Sequence, residues 1–195
     1  MANLGNIAVI SKSSNPKILS SIPRIDIINA RFYRRIIVIN RNNQVANLLN
    51  YLLKINRLDI EVAVVNNIFS VFKALYTPSK KIPLILNENS TALLNFTHWL
   101  GIKGNLLQGE AVVDDLVLFD GEVSCVRIEP MFGSPGLRAS VISIHRQPHK
   151  WIEGRVVQLG TTGARSIHDG MISSKIIKHS VLYKHTEGWF CVGCN

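Results

Sequence analysis

Hydrophobic and polar positions alternate along the chain in two ways, one typical of helices and one typical of strands. Within residues 16–30, isoleucine and leucine recur at steps of three and four residues, which predicts a helix with Pro23 at a kink or restart. RRIIVIN (34–40) is short and β-branched and predicts a strand. NNQVANLLNYLLKINRLDI (42–60) has one apolar stripe behind a capping asparagine and predicts a second helix, before the strand-like IEVAVV (60–65). The order helix, strand, helix, strand predicts a small α/β unit.

The second half of the chain has the pattern of strands. Four β-rich runs, AVVDDLVLF, EVSCVRIE, LRASVISI and GRVVQLG, are separated by turn signals, and GWFCVGC predicts a closing strand. Residues 66–110 show no clean period. The predicted fold class is therefore α+β, with the small α/β unit packed on a mainly β C-terminal unit. The predicted domains are an N-terminal extension at 1–14, the α/β domain at 15–65, an insertion at 66–110 and the β domain at 111–195.

Composition narrows the class of protein. With 47% hydrophobic and 18% charged residues, the chain can bury a core. No apolar run approaches the roughly 18 residues that span a bilayer, and the first residues lack the succession of a secretory signal, so no membrane partner is expected. Three cysteines, an odd number, indicate a reducing compartment.

The net charge of +9 is unevenly distributed. Residues 1–60 hold 9 basic and 2 acidic side chains, residues 61–130 hold 5 and 8, and residues 131–195 hold 8 and 3. Two basic segments can assemble one positive face, whose commonest partner is a polyanion, usually nucleic acid.

LGTTGARSIHDGMISSK (159–175) carries the densest set of candidate functional groups. Its glycines and lysine have the wrong spacing for a phosphate-binding loop of nucleotide hydrolases, and no G-x-G-x-x-G occurs. Covalent catalysis around His168 and Asp169 is an open alternative, although neighbours in sequence rarely converge in space. The lone C-x-x-C at 191–194 lacks a second ligand pair, so no metal is expected.

Binding to structured RNA suits these residue types best. Hydroxyls and glycine N–H groups can bond phosphate and ribose oxygens, while Arg, His and Lys supply positive charge. The residues predicted to approach RNA are Thr161, Thr162, Gly163, Arg165, Ser166, His168, Gly170, Ser173, Ser174 and Lys175. Supporting phosphate contacts are expected from Arg138, Arg34 and Arg35.

Several short motifs occur in the order found in a known family. Ile28-Asn29-Ala30 matches a helix end, Ser134-Pro135-Gly136-Leu137-Arg138 a turn before a strand, and Phe190-Cys191 a closing strand. A hydroxyl triplet matches at 160–162 with an insertion, or at 166–168 without one. Over roughly residues 15–65 and 111–195, the chain resembles the small-subunit ribosomal protein eight family in its bacterial and organellar form.

That resemblance implies a structural protein of the small ribosomal subunit. It would bind a stem in the central domain of the small-subunit rRNA, support assembly, and contact neighbouring small-subunit ribosomal proteins. The family implies no enzymatic activity, no cofactor and no small-molecule substrate. A mitochondrial ribosome is the expected location, with the bacterial cytoplasm as the alternative. The alternative functions are a free-standing RNA-binding regulator and a small enzyme that uses the His168 region.

Overall fold

The computed structural model describes residues 6–11, 17–39, 42–65, 69–142 and 148–193. The chain divides into two compact units. Unit 1 comprises Met1–Ile82 and Glu187–Asn195, and unit 2 comprises Pro83–Thr186. Within the described ranges, no helix is both long enough and apolar enough to span a membrane.

Unit 1 is built on parallel strands. β1 (Ile7–Ile10), β2 (Arg35–Ile39) and β3 (Glu61–Val65) pair in that order, and residues 190–192 of the last strand, β13 (Met171–Val192), add a parallel neighbour to β3. These runs are almost wholly apolar because parallel sheets are covered on both faces.

Two helices contribute to the core of unit 1. α2 (Phe69–Tyr76) places Val71, Ala74 and Leu75 in one core cluster with β-strand residues that include Ile37 and Val65. α1 (Asn42–Lys54) follows β2 and buries an amphipathic stripe. Its fully or almost fully buried residues are Val45, Leu48, Leu49 and Leu52. The hydroxyl of Tyr51 donates to the carbonyl of Ile28, which ties α1 to the segment before β2.

The predicted first helix is not present. The described residues 17–32 instead contain 3₁₀ turns at Lys17–Leu19 and Ile27–Phe32, and an unpredicted strand, β1, precedes them. The Val9 amide donates to the carbonyl of Pro23, and the Ile25 amide donates to the carbonyl of Val9. Proline cannot donate in a helix interior, so this segment runs beside β1 instead. The strand, helix and strand that follow match β2, α1 and β3.

Unit 2 is an antiparallel β structure. β4 (Ser79–Asn87) and β13 each begin or end in unit 1, and the strands between them belong to unit 2. These are β5 (Ala92–Leu93), β6 (Thr97–Gly101), β7 (Leu107–Val113), β8 (Leu116–Val123), β9 (Cys125–Pro130), β10 (Leu137–Ile142), β11 (Pro148–Gly154) and β12 (Val156–His168). The described structure is thus mainly β with few helices, which is compatible with the predicted α+β class.

Among the strands that the structure describes, β12 joins two branches of a single 13-stranded sheet. Its residues 157–161 pair with β7, which pairs with β8, and its residues 164–168 pair with β6, which leads through β9 and β10 to β11. The register shifts between Gly160 and Ala164, where the partner of β12 changes from β7 to β6. Apolar residues of both branches form one core.

The observed units differ from the predicted domains. Residues 69–110, taken as part of an insertion, are distributed over both units as α2 and β4 to β7. Their lack of a clean period reflects short strands in which a buried position can hold a polar residue, such as Thr97 in β6. Residues 1–5 and 12–14 of the predicted extension, and Cys194, lie outside the described residues.

Candidate functional site

The segment 159–175 forms a β-hairpin in unit 2. β12 runs to His168, Asp169 and Gly170 make the turn, and β13 begins at Met171. Both turn residues have positive φ, 49° and 84°, as expected for an Asp-Gly turn of type I′. Most of the residues predicted to bind RNA therefore lie on two paired strands.

Several polar groups of this hairpin bond to the protein itself. The hydroxyl of Thr161 donates to the carbonyl of Gln108 at 2.6 Å. The ring of His168 has Nδ1 2.9 Å from the hydroxyl oxygen of Thr97 and Nε2 3.2 Å from the carbonyl oxygen of Ala92. Because of these contacts, the hydroxyl proton of Thr161 and the ring nitrogens of His168 are already engaged within the protein.

Asp169 is the most constrained of these groups. Its side chain is 4% exposed, and its carboxylate accepts from the backbone N–H groups of Leu94, Asn95 and Phe96, at 3.0, 2.7 and 3.3 Å. The carboxylate thus orders the chain between β5 and β6. A catalytic dyad of His168 and Asp169 does not fit this arrangement, because both side chains are fixed to structural partners.

The other predicted contact residues are divided among separate places. Gly163 is buried, Arg165 and Ser166 are half-buried, and Ser174 and Lys175 are exposed. Arg138 lies on β10, where its Nη2 is 2.7 Å from a carboxylate oxygen of Glu153 and its guanidinium lies 5.1 Å from the ring centroid of Trp151. Arg34 and Arg35 lie in unit 1. Only the hairpin residues form a continuous group.

A shallow groove of about 410 Å³ lies beside the hairpin in unit 2. Glu110 and Asp120 face each other across β7 and β8, and Thr161 and Thr162 lie along the groove with the bare backbone of Gly160. Like charges that are directly opposite destabilise a strand pair, so a bound cation would relieve this one. Sequence reasoning missed both acids, because only the register of the strands brings them together.

The acids of the groove suit a hard cation in number and type. Mg²⁺ in phosphate-transfer sites is held by one or two carboxylates together with substrate phosphates. In the described part of the chain, no three His, Cys, Asp or Glu side chains are grouped to hold a metal by themselves. One or both of Glu110 and Asp120 would therefore hold Mg²⁺ together with a phosphorylated ligand, not in a complete protein cage.

Unit 1 has its own candidate binding edge at the carboxyl ends of its parallel strands. α1 begins three residues after β2 ends, and α2 begins four residues after β3 ends, so both helix N-termini lie at this edge. Ligands of α/β sheets bind at this edge, and helix N-termini favour anions. In the sequence, β1 is followed by SKSSN, β2 by NRNN and β3 by NNI, with no carboxylate among them. This composition is suited to phosphate.

Comparisons with known proteins identify the fold. None of the protein-family models and none of the curated proteins matches the sequence. Among solved structures, the chain is similar to an NAD kinase from Archaeoglobus fulgidus in complex with ATP, with a TM-score of 0.65 and 12% identity over 95% of this chain and 92% of that one. It is also similar to the yeast NADH kinase complexed with NADH, with a TM-score of 0.59 and 9% identity over 89% of this chain and 66% of that one.

These similarities overturn the ribosomal interpretation. The resemblance to the ribosomal protein eight family is wrong, and so are the rRNA and ribosomal-protein partners and the role in translation inferred from it. The expected absence of enzymatic activity and of a small-molecule substrate is also contradicted, because the neighbours are kinases solved with ATP and NADH. The matched motif Ser134-Pro135-Gly136-Leu137-Arg138 is a turn that leads into β10, which begins at Leu137. The chain has the fold of the NAD and NADH kinases.

Proposed function

We propose that this protein is a small-molecule kinase that binds ATP and a nicotinamide dinucleotide and transfers a phosphoryl group from the first to the second. The observation that carries the proposal is the similarity to an NAD kinase over 95% of this chain and 92% of that chain. Since the match extends over nearly the whole of both chains, it includes both units.

The carboxyl edge of unit 1 supports phosphate binding. Two helix N-termini lie there, and each carries a partial positive charge that favours an anion. Catalysis of phosphoryl transfer depends chiefly on positioning and on neutralising phosphate charge. The sequence that follows β1, β2 and β3 contains Lys12 and Arg41 and no acid, and this composition suits the neutralisation of phosphate charge.

The groove of unit 2 supports the binding of a cation and of sugar hydroxyls. Glu110 and Asp120 offer carboxylate oxygens for Mg²⁺, which when bound neutralises charge on phosphate oxygens. A carboxylate that is not engaged in this way can accept the proton of an attacking hydroxyl. The hydroxyl of Thr162 and the bare backbone of Gly160 let a ribose approach closely.

Turnover is tested directly with the purified full chain. ATP, Mg²⁺ and either NAD⁺ or NADH are incubated with the protein, and the phosphorylated dinucleotide is measured by mass spectrometry, with a mixture lacking ATP as the blank. The double variant Glu110→Gln, Asp120→Asn should lower kcat about 100-fold or more, because it removes both the cation ligands and the base. Glu122→Gln, an exposed acid on β8 outside the groove, is the matched control and should keep full activity. Absence of product from the wild-type chain, or equal loss in the control, contradicts the proposal.

Phosphate binding at the carboxyl edge has a separate test. Asn43 is exposed in the first turn of α1, and Asn43→Asp adds a negative charge where ATP phosphates would bind. We expect ATP affinity, measured by calorimetry, to fall roughly 3- to 10-fold through charge repulsion. The variant should fold normally, because an acid at a helix N-terminus is stabilising. Asn47→Asp, an exposed position one turn later, should change ATP affinity less.

A further inference from the structure

Unit 1 contains a second cavity that the proposed kinase function does not use. It encloses about 320 Å³ and lies at the amino ends of the parallel strands, where Ile7, Arg35 and Glu61 begin β1, β2 and β3. This is the edge of the sheet opposite to the carboxyl ends. The volume is at the lower end of the range for small-molecule sites.

One arginine of the cavity is held by structural contacts. Arg35 places Nε 2.6 Å from a carboxylate oxygen of Glu61, and its Nη1 donates to the carbonyls of Ala74 and Leu75 at 3.0 and 2.9 Å. The hydroxyl of Ser79 donates to the other oxygen of Glu61 at 2.9 Å. Arg35 therefore neutralises Glu61 and caps the C-terminus of α2, where a cation is favoured.

The neighbouring arginine is available to a ligand. Arg34 is exposed and lines the cavity. In the described part of the chain, its guanidinium has neither a hydrogen bond nor a salt bridge. Because Arg35 already balances Glu61, Arg34 leaves the cavity with one uncompensated positive charge. A guanidinium can bind a phosphate group through two parallel hydrogen bonds.

An aromatic ring lies in the same cavity. Tyr76 ends α2, lines the cavity and is 63% exposed, and Thr77 and Asn6 add a hydroxyl and an amide. A flat exposed ring in the same cavity as a free guanidinium matches a ligand that combines a phosphate with a planar base, since bases stack on aromatic side chains. We propose that this cavity binds a nucleoside monophosphate, with Arg34 on the phosphate and Tyr76 against the base.

Calorimetric titration of the full chain with AMP tests the site. Arg34→Met keeps the length of the side chain and removes its charge, and should weaken AMP binding about 10-fold or more. Tyr76→Ala should weaken it at least 5-fold, whereas Tyr76→Phe, which keeps the ring, should retain it. Arg155→Met removes the same charge from an exposed arginine of unit 2 that does not line the cavity, and should have no effect.

Other ligands and one further variant separate the possible outcomes. Inorganic phosphate, ribose 5-phosphate and adenosine should each bind at least 10-fold more weakly than AMP. Equal binding of inorganic phosphate would overturn the nucleoside part of the proposal, and an unchanged affinity in Arg34→Met would overturn the site itself. If Asn43→Asp weakened AMP binding and Arg34→Met did not, AMP would bind at the carboxyl edge. That result would leave the proposed kinase function intact, so the two proposals fail separately.

Discussion

The hairpin of unit 2 and the amino-edge cavity of unit 1 use polar side chains in opposite ways. In the hairpin, Thr161, His168 and Asp169 bond to neighbouring strands and to the chain between β5 and β6. In the cavity, Arg35 is engaged in the same manner, but the guanidinium of Arg34 beside it forms no hydrogen bond with the described residues. Buried polar groups almost always form hydrogen bonds within the protein. The residues that can bind a ligand are therefore those that still have unused hydrogen-bond donors or acceptors.

This difference explains why the densest polar segment misled the sequence interpretation. A run of hydroxyls, glycines and cations has the same composition whether its groups face a ligand or the protein's own backbone. In the hairpin, the carboxylate of Asp169 accepts hydrogen bonds from three backbone N–H groups. The polar side chain of Asp169 therefore stabilises the fold. The paired arginines at 34 and 35 look identical in the sequence, yet only one is free to bind.

Removing the carboxylate of Asp169 should give the largest loss of stability. Asp169→Ala leaves three backbone donors without their acceptor and places alanine at a φ of 49°. We expect the free energy of unfolding to fall by about 3 kcal/mol or more, measured by urea denaturation. Asp169→Asn, which tolerates this φ and keeps one acceptor oxygen, should lose roughly half as much. Asp115→Ala, at an exposed turn, is the control, and a comparable loss there would break the contrast between the hairpin and the surface.

Substitutions of Arg34 and Arg35 should differ clearly in their effect on stability in the same assay. The side chains of Arg35 and Glu61 are only 14% and 16% exposed, so Arg35→Met leaves a largely buried carboxylate without its partner. We expect a loss of about 3 kcal/mol in unfolding free energy. Arg34→Met should change stability by less than about 0.5 kcal/mol, as is usual for an exposed side chain. Equal losses would mean that Arg34 is also structural, and would remove it from the proposed ligand site.

Acid should weaken unit 1 through Glu61. Burial raises the pKa of this carboxyl, but hydrogen bonds from Arg35 and Ser79, with the charges of Arg35 and Arg34, outweigh burial and hold the pKa below its usual range. Because the folded-state pKa is lower than the unfolded one, the contribution is present above the unfolded value, and is lost as pH falls through the folded value. Unfolding free energies measured from pH 6 to pH 3 should therefore decline less steeply in Glu61→Gln than in the wild type.

The elements that the sequence predicted well are those with strong local patterns. β2, α1 and β3 carry uninterrupted β-branched runs or a clear apolar stripe, so local preference and tertiary structure agree. The segment 16–30 has helix-like periodicity as well, but Pro23 and the pairing with β1 exclude a helix. β1 itself was assigned to an extension because its apolar run, Ile7–Ile10, is short and lies among polar residues.

The candidate site was predictable only in part. Thr161 and Thr162 were identified from their hydroxyls and do line the groove, although they were assigned to RNA. Glu110 and Asp120 could not be found, because they lie ten residues apart on strands whose register decides that they face each other. The Ser and Asn residues after β1, β2 and β3 did give a local signal, since polar runs that follow short buried strands mark the carboxyl edge of a parallel sheet.

Substitution of Gly163 tests the same contrast, between residues that stabilise the fold and residues that bind a ligand, and should have the smallest effect. The sequence predicts that Gly163 approaches RNA, but it is buried, and an added Cβ would lie 2.9 Å from Ile102 Cδ1 and 3.3 Å from Ile176 Cγ2. Both contacts are with side chains that can shift, so Gly163→Ala should lower the unfolding free energy by only about 1 kcal/mol. Gly133→Ala, where an added Cβ would meet nothing within 4 Å, should be nearly neutral. If Gly163→Ala left stability unchanged and weakened nucleotide binding, the prediction would be wrong. Gly163 would then lie in the ligand site, where its small size lets a ligand come close.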